Sequence, residues 1–290
     1  MNLTTLLVMT CFFLLNNAVG QDTDPLAPDF KAPKEIRGMK LIWNDEFNMN
    51  GKPDPKKWNY ETGFVRNQEL QWYQADNANC VNGVLVIEGR RERVPNPKYQ
   101  EGSNNWKLNR RFAEYTSSSI KTQALQAFSF GRLEIRARID TSEGSWPAIW
   151  TLGIRGGWPL NGEVDIMEFY RIENVPMLLA NLAWGTSEKG GPKWNTKTLP
   201  LKDFLAKDPG WPKKFHTWRM DWNKDSIKLY LDDVLLNTGV LSETTNPDSS
   251  NPFQQPHYLL LNLAIGSNGG DPSKTKFPLK YEVDYVRYYR

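Results

Sequence analysis

The sequence predicts an all-β protein, a β-sandwich of jelly-roll type. Three observations carry that expectation. Period-two alternation of apolar and polar residues recurs along the chain, helical periodicity is almost absent, and Gly, Pro, Asn and Asp punctuate the gaps between apolar runs. Many short strands with so little helix pack as two sheets around one core. A length of 290 residues, 39% of them hydrophobic, suits one large β-domain, and no internal repeat or low-complexity linker divides it.

Residues Leu3 to Ala18 form an apolar stretch too short and too early to span a membrane, and it ends in Ala18-Val19-Gly20. That pattern predicts a secretory signal peptide over residues 1–20, cleaved after Gly20 and exporting the protein to the periplasm, the cell surface or the medium. No Lys or Arg lies near Met1. Residues 21–38, rich in Pro and Asp, read as a flexible arm, and residues 39–290 as a single β-jelly-roll domain. Val84-Leu85-Val86-Ile87 reads as a buried strand entered through the turn Asn82-Gly83. In Arg132 to Asp140, Leu133, Ile135, Ala137 and Ile139 face one way while Arg132, Glu134, Arg136 and Arg138 face the other. Leu201 to Lys207 is briefly helical and Pro209 stops it. Ser226 to Asp233 alternates again, Tyr258 to Ile265 is apolar enough for burial on both faces, and Tyr281 to Tyr289 closes the fold.

Composition excludes several classes of function. Beyond the leader, Cys80 is the sole cysteine, so no internal disulfide is available. The net charge of +3 is spread over interleaved Lys, Arg, Asp and Glu. The densest basic run, Arg90-Arg91-Glu92-Arg93, is broken by an acid and reads as a solvated strand end, so nucleic acid is not an expected partner. The histidines, His216 and His257, lie in no zinc-protease or triad pattern, and no glycine-rich nucleotide loop occurs.

The stretch Glu163-Val164-Asp165-Ile166-Met167-Glu168 places three carboxylates in an apolar, β-favouring run. Burying a carboxylate costs several kcal/mol unless it is paired or protonated, so such density points to chemistry. Strict alternation puts Glu163 and Asp165 on one face and Glu168 on the other; one extra residue, a bulge near Ile166 or Met167, returns Glu168 to the first. Glycosidic hydrolysis with retention needs an ionised nucleophile and a protonated acid/base roughly 5 to 5.5 Å apart. Glu163 is assigned as the nucleophile, Glu168 as the acid/base, and Asp165 as the neighbour that shares a proton with Glu163 while its charge keeps Glu168 protonated. A calcium site and a solvated acidic strand are the competing readings, but Val, Ile and Met are poor spacers for calcium and too apolar for a solvated strand. The 12 Trp and 11 Tyr, several beside Gly or Pro, suit a cleft that stacks sugar rings, and the tryptophans are expected to divide about evenly between cleft and core.

With these residues stated, a resemblance becomes specific. Gly144-Ser-Trp-Pro-Ala-Ile-Trp150 and Trp158-Pro-Leu-Asn-Gly-Glu-Val-Asp-Ile-Met-Glu168 resemble glycoside hydrolase family 16, and within it the laminarinase-type endo-β-1,3(4)-glucanases. Leu41-Ile-Trp-Asn-Asp-Glu-Phe47, Asn262-Leu-Ala-Ile-Gly266 and Val283-Asp-Tyr-Val-Arg-Tyr288 extend it along the chain. The resemblance implies a concanavalin A-like jelly roll, internal cleavage with retention, and Glu163, Asp165 and Glu168 as nucleophile, assisting aspartate and acid/base. It further implies Asn67, Arg132, Trp146, Trp150, Trp158, Asn181 and Trp184 as substrate contacts. No cofactor serves catalysis, but a structural calcium is implied through Asp284, with Gly83 as carbonyl donor and Glu46 as a further ligand. In Leu179-Ala-Asn-Leu-Ala-Trp-Gly185, Ala183 stands where many laminarinases carry a histidine. The expected partner is a β-glucan, β-1,3 or mixed β-1,3/1,4, cut by a monomer with no membrane span. The alternatives are the same mechanism on agarose, porphyran or carrageenan, and a glucan-binding module without activity.

Overall fold

Two antiparallel sheets form in the computed structural model, which describes residues 24–186 and 191–290. The predicted leader lies outside the described residues. The first sheet, here the cleft sheet, runs in the order Pro192–Pro200, Val175–Gly185, Glu163–Ile172, Ser145–Gly153, His257–Ile265, Ser119–Lys121 and Asn59–Tyr60. The second, outer sheet runs Val234–Val240, Ser226–Leu231, His216–Trp222, Gly131–Arg138, Leu279–Tyr289, Val84–Gly89 and Ala78–Val81, with Leu41–Asp45 also paired to Leu279–Tyr289. Alternation decides what lies between them. Leu133, Ile135 and Ala137 of the outer sheet share one buried cluster with Ile149, Val164, Ile166 and Met167 of the cleft sheet. Burying each such side chain contributes roughly 1.5–3 kcal/mol, so the sandwich needs no disulfide, and Cys80 is free and buried.

The expected elements form with small changes of boundary. The helix covers Leu201–Leu205, and His257–Ile265 is buried along its whole length. Asn82 and Gly83, with φ of 51° and 79°, make the tight turn between Val81 and Val84. Among the described residues no helix is long and apolar enough to cross a membrane. The basic run does not form a patch: Arg90 pairs with Glu88 at 2.8 Å, Arg93 with Glu114 at 3.3 Å, and Arg91 donates to the carbonyls of Pro272 and Ser273.

The flexible arm is corrected from Asp24 onward. Outward-facing arginines of the outer sheet hold its backbone: Arg136 donates to Ala27 O at 3.0 Å, Arg138 to Leu26 O at 3.2 Å, and Arg287 to Pro33 O at 3.0 Å. Phe215 N adds a bond to Pro25 O at 2.7 Å. Proline and aspartate prevent regular structure here, yet the carbonyls they leave unpaired are what the guanidinium groups need.

Candidate active site

The site is set by a bulge. Asp165 lies opposite Asn181 and Glu168 opposite Leu179, so Ile166 and Met167 together face the single residue Ala180. On the other side of the catalytic strand Glu163–Ile172, Asp165 is paired with Trp150 while Met167 is paired with Ile149. Ile166 and Met167 are both fully buried in the core. The extra residue thereby restores Glu168 to the face of Glu163 and Asp165. That face is the floor of an open cleft of about 910 Å³.

Tryptophan and asparagine donors fix the carboxylates. Trp158 Nε1 donates to Glu163 Oε2 at 2.8 Å and Trp146 Nε1 to Glu168 Oε1 at 3.0 Å. Asn181 Nδ2 donates to both Asp165 Oδ2, at 3.0 Å, and Glu168 Oε2, at 3.2 Å. Burial pushes all three carboxyls up. Glu168 rises to about 7, first through burial and then through the charge of Glu163, against the hydrogen bonds that favour its ionised form. Asp165 is driven well above the usual carboxylate range by burial and by the charges of Glu168 and Glu163. Burial also raises Glu163, but hydrogen bonds from Trp158 and Asp165 and the charge of Arg66 oppose it. Among the three, then, Glu163 carries the negative charge, Asp165 keeps its proton and donates to it, and Glu168 is an acid poised near neutrality. One expectation changes: a protonated Asp165 has no charge with which to hold Glu168 protonated, and burial and Glu163 do so instead.

The remaining substrate residues divide between cleft and elsewhere. Asn67, Trp146, Trp150 and Trp158 line the cleft, while Asn181 lies beneath it, bonded to the carboxylates. Trp150 is locked by a bond from Nε1 to Asn262 Oδ1 at 2.7 Å, and Asn262 Nδ2 donates to the Tyr73 hydroxyl at 3.1 Å. Trp158 and Trp194, 52% and 42% exposed, leave ring faces open to a sugar. Arg132 is a correction: it sits on the outer sheet and its guanidinium grips both carboxylate oxygens of Asp221, at 2.7 and 2.9 Å. Trp184 is another, because Ala183 pairs with Glu163 on the cleft face and the next residue points into the core against Phe253. Sequence reasoning gave no site role to Glu69, Trp106, Tyr170 or Asn262, which line the cleft together with Arg66 and Trp194. Trp106 comes from an aperiodic loop, whereas Asn262 and Trp194 could have been found by carrying the face alternation across paired strands.

The side chains named for calcium have partners within the protein. Asp284 Oδ2 accepts from Arg136 Nη1 at 2.5 Å and from the Asp29 amide at 2.9 Å. Both oxygens of Glu46 are taken by Arg287, at 3.0 and 2.9 Å, and Gly83 lies under the ring of Phe30. A guanidinium already supplies the positive charge at Asp284. Among the described residues no three His, Cys, Asp or Glu side chains gather as a metal site. The histidines are structural: His257 is buried between Thr151 and Pro252 O, and burial lowers it to about 4, while His216 stacks on Trp211.

An aromatic cleft floored by two glutamates, one of them an acid raised by burial, on a jelly-roll sheet defines a glycosidase. Comparison with known proteins places it further. The family model for glycosyl hydrolases family 16 matches residues 91–287, and the chain belongs to that family. It is 33% identical, over 96% of its own length and 93% of the relative's, to a β-glucanase of Rhodothermus marinus. The laminarinase catalytic domain of Thermotoga maritima superposes with a TM-score of 0.71 at 30% identity, covering 87% of this chain and 98% of that one. A structure from work on endo-acting O-glycanases, which prominent members of the human gut microbiota express to initiate mucin breakdown, superposes with a TM-score of 0.80 at 35% identity. It covers 89% of this chain and 93% of the other.

Proposed function

We propose that this protein is a secreted, retaining endo-glycosidase that cuts β-1,3 or mixed β-1,3/1,4-glucan internally by double displacement. The observation that carries the reading is the bulge that brings Glu163, Asp165 and Glu168 to one face of an open cleft. Glu163 attacks the anomeric carbon as Glu168 passes its proton to the leaving oxygen. Glu168, now ionised, then takes a proton from water, and that water releases the sugar from Glu163. Asp165 orients Glu163 through the shared proton. Likeness to the β-glucanase and the laminarinase supports β-glucan as the polymer. The apolar N-terminal stretch supports export.

A second substrate is favoured by one observation, the fit to the structure from the O-glycanase work. The mechanism is unchanged and mucin O-glycans replace glucan. Ala183 beside the nucleophile offers no donor to a glucose hydroxyl and is compatible with either sugar. Among the described residues lining the cleft, Arg66 is the one Lys or Arg, which argues against densely sulfated galactans.

The test is incubation with laminarin, barley mixed-linkage glucan, mucin O-glycans, agarose and porphyran, following reducing ends and product sizes. Release of oligosaccharides from a glucan supports the first reading, release from mucin alone the second, and release from neither overturns both. Glu163→Ala should lower turnover by orders of magnitude while binding of the cleaved polymer persists.

A further inference from the structure

The cleft holds an electrostatic imbalance. Among the described residues that line it, Glu69, Glu163, Asp165 and Glu168 are carboxylates and Arg66 alone is cationic. Like charges so close favour uptake of protons, yet a nucleophile must be ionised. The position of Arg66 bears on that conflict. Its guanidinium is ion-paired with Glu61, which is held in turn by Ser119 Oγ at 2.7 Å and flanked by Lys121 at 3.9 Å. The same guanidinium lies over Trp150, 5.0 Å from the ring centroid, and over Tyr73 at 5.9 Å. Trp150 and Tyr73 are joined through Asn262, so Arg66 caps a closed set of contacts. Its Nη1 is buried with no hydrogen-bond partner among the described residues.

We propose that Arg66 is a positioning residue: clamped by Glu61 and laid on Trp150, it fixes that ring in the cleft wall and supplies, within the cleft that Glu163 also lines, the positive charge that keeps the nucleophile ionised. This rests on the assignment of Glu163 as nucleophile. The titratable and charged groups that share the cleft with Glu163 are Asp165, Glu168 and Tyr170 on its own strand and Arg66 and Glu69 on the loop side, with Tyr258 of His257–Ile265 near it and Glu61 and Tyr73 behind Arg66. The adjacent strands face it with Leu152 and Ala183, which do not titrate. Lys121 lies beyond Glu61, so Arg66 is the cation among the described residues that line the cleft. The charge of Arg66 opposes the effect of burial on Glu163, in accord with this role.

The experiment is a pH titration of carboxyl resonances by carbon-13 NMR on the full protein, with Glu163 assigned by its loss in Glu163→Gln. Arg66→Met should raise the Glu163 midpoint by roughly one pH unit, the lower end of what a neighbouring opposite charge does. Arg66→Lys, which keeps the charge and loses the fork, should recover most of that shift. In the activity profile the acidic limb should move up with the midpoint in Arg66→Met and return in Arg66→Lys, a readout that a purely structural role would not move. A Glu163 midpoint within about 0.2 of a unit of wild type in Arg66→Met, or an equal shift in both variants, overturns the proposal. If Arg66→Met does not fold, Arg66→Gln, which can still bond Glu61, takes its place with the same expected shift. The titration needs no substrate. A protein inactive on every polymer would overturn the hydrolase reading, and the NMR result would separately decide whether Arg66 tunes Glu163.

Discussion

Replacing Glu168 by glutamine should stabilise the protein above neutral pH and slightly destabilise it in acid. Glu168 is held by two hydrogen bonds and raised from its ordinary value of 4.5 to about 7. A difference of roughly 2.5 units at about 1.36 kcal/mol each corresponds to about 3 kcal/mol, an order-of-magnitude ceiling. The sign follows from proton binding. Below about pH 4.5 the folded and unfolded states both hold the proton, and the group neither stabilises nor destabilises. Between about 4.5 and 7 the unfolded state releases it first, so the folded state loses ground as pH rises, and above about 7 the whole penalty applies. Glutamine has no proton to release. Its amide nitrogen cannot accept from Trp146 or Asn181 as a carboxylate oxygen does, which costs about 1 kcal/mol at every pH. Urea unfolding at pH 4.5 and pH 8 should therefore find Glu168→Gln slightly less stable at the lower pH and about 2 kcal/mol more stable at the higher. An equal stability difference at the two pH values would refute the burial argument for the acid/base. Activity must fall in this variant at both.

Further outcomes follow from the same geometry. Trp146→Phe removes a donor that favours ionised Glu168, so the basic limb of kcat/KM should move to higher pH; movement to lower pH would show that the bond does not control the acid. Arg136→Ala leaves Asp284 buried without its partner and should destabilise by about 3–5 kcal/mol in chemical unfolding. With a guanidinium at Asp284, a chelator should leave the melting temperature unchanged, whereas a fall would restore a structural calcium. Trp194→Ala should raise KM for the polymer more than it lowers kcat, because the ring presents an open face to the cleft and contacts no catalytic carboxylate.

The catalytic arrangement was legible because its logic is local. Carboxylates at 163, 165 and 168 can share a face of a strand only with one extra residue between the last two, and Ile166 and Met167 supply it. Arg132 shows the limit of periodicity. Alternation correctly set it opposite Leu133 and Ile135, but two faces do not say which of two sheets a strand joins, and this strand joins the one without the cleft. Trp184 was within reach of the sequence: Asn181 and Trp184 are three residues apart in one strand, so period two forbids them the same face. Trp106 and Arg66 lie on loops with no period, where placement depends on the tertiary fold. The arm from Asp24 carries no pattern of its own and is ordered by Arg136, Arg138 and Arg287, whose outward positions alone look solvated.

The central claim is that Glu163 attacks and Glu168 protonates, giving two inversions at one carbon. Proton NMR of the first reducing ends released from the cleaved polymer, recorded before mutarotation, tests it most directly. The account predicts the β anomer to appear first, with the α form growing in later. Initial appearance of the α anomer would mean that water, and not Glu163, attacks the sugar, and would contradict it.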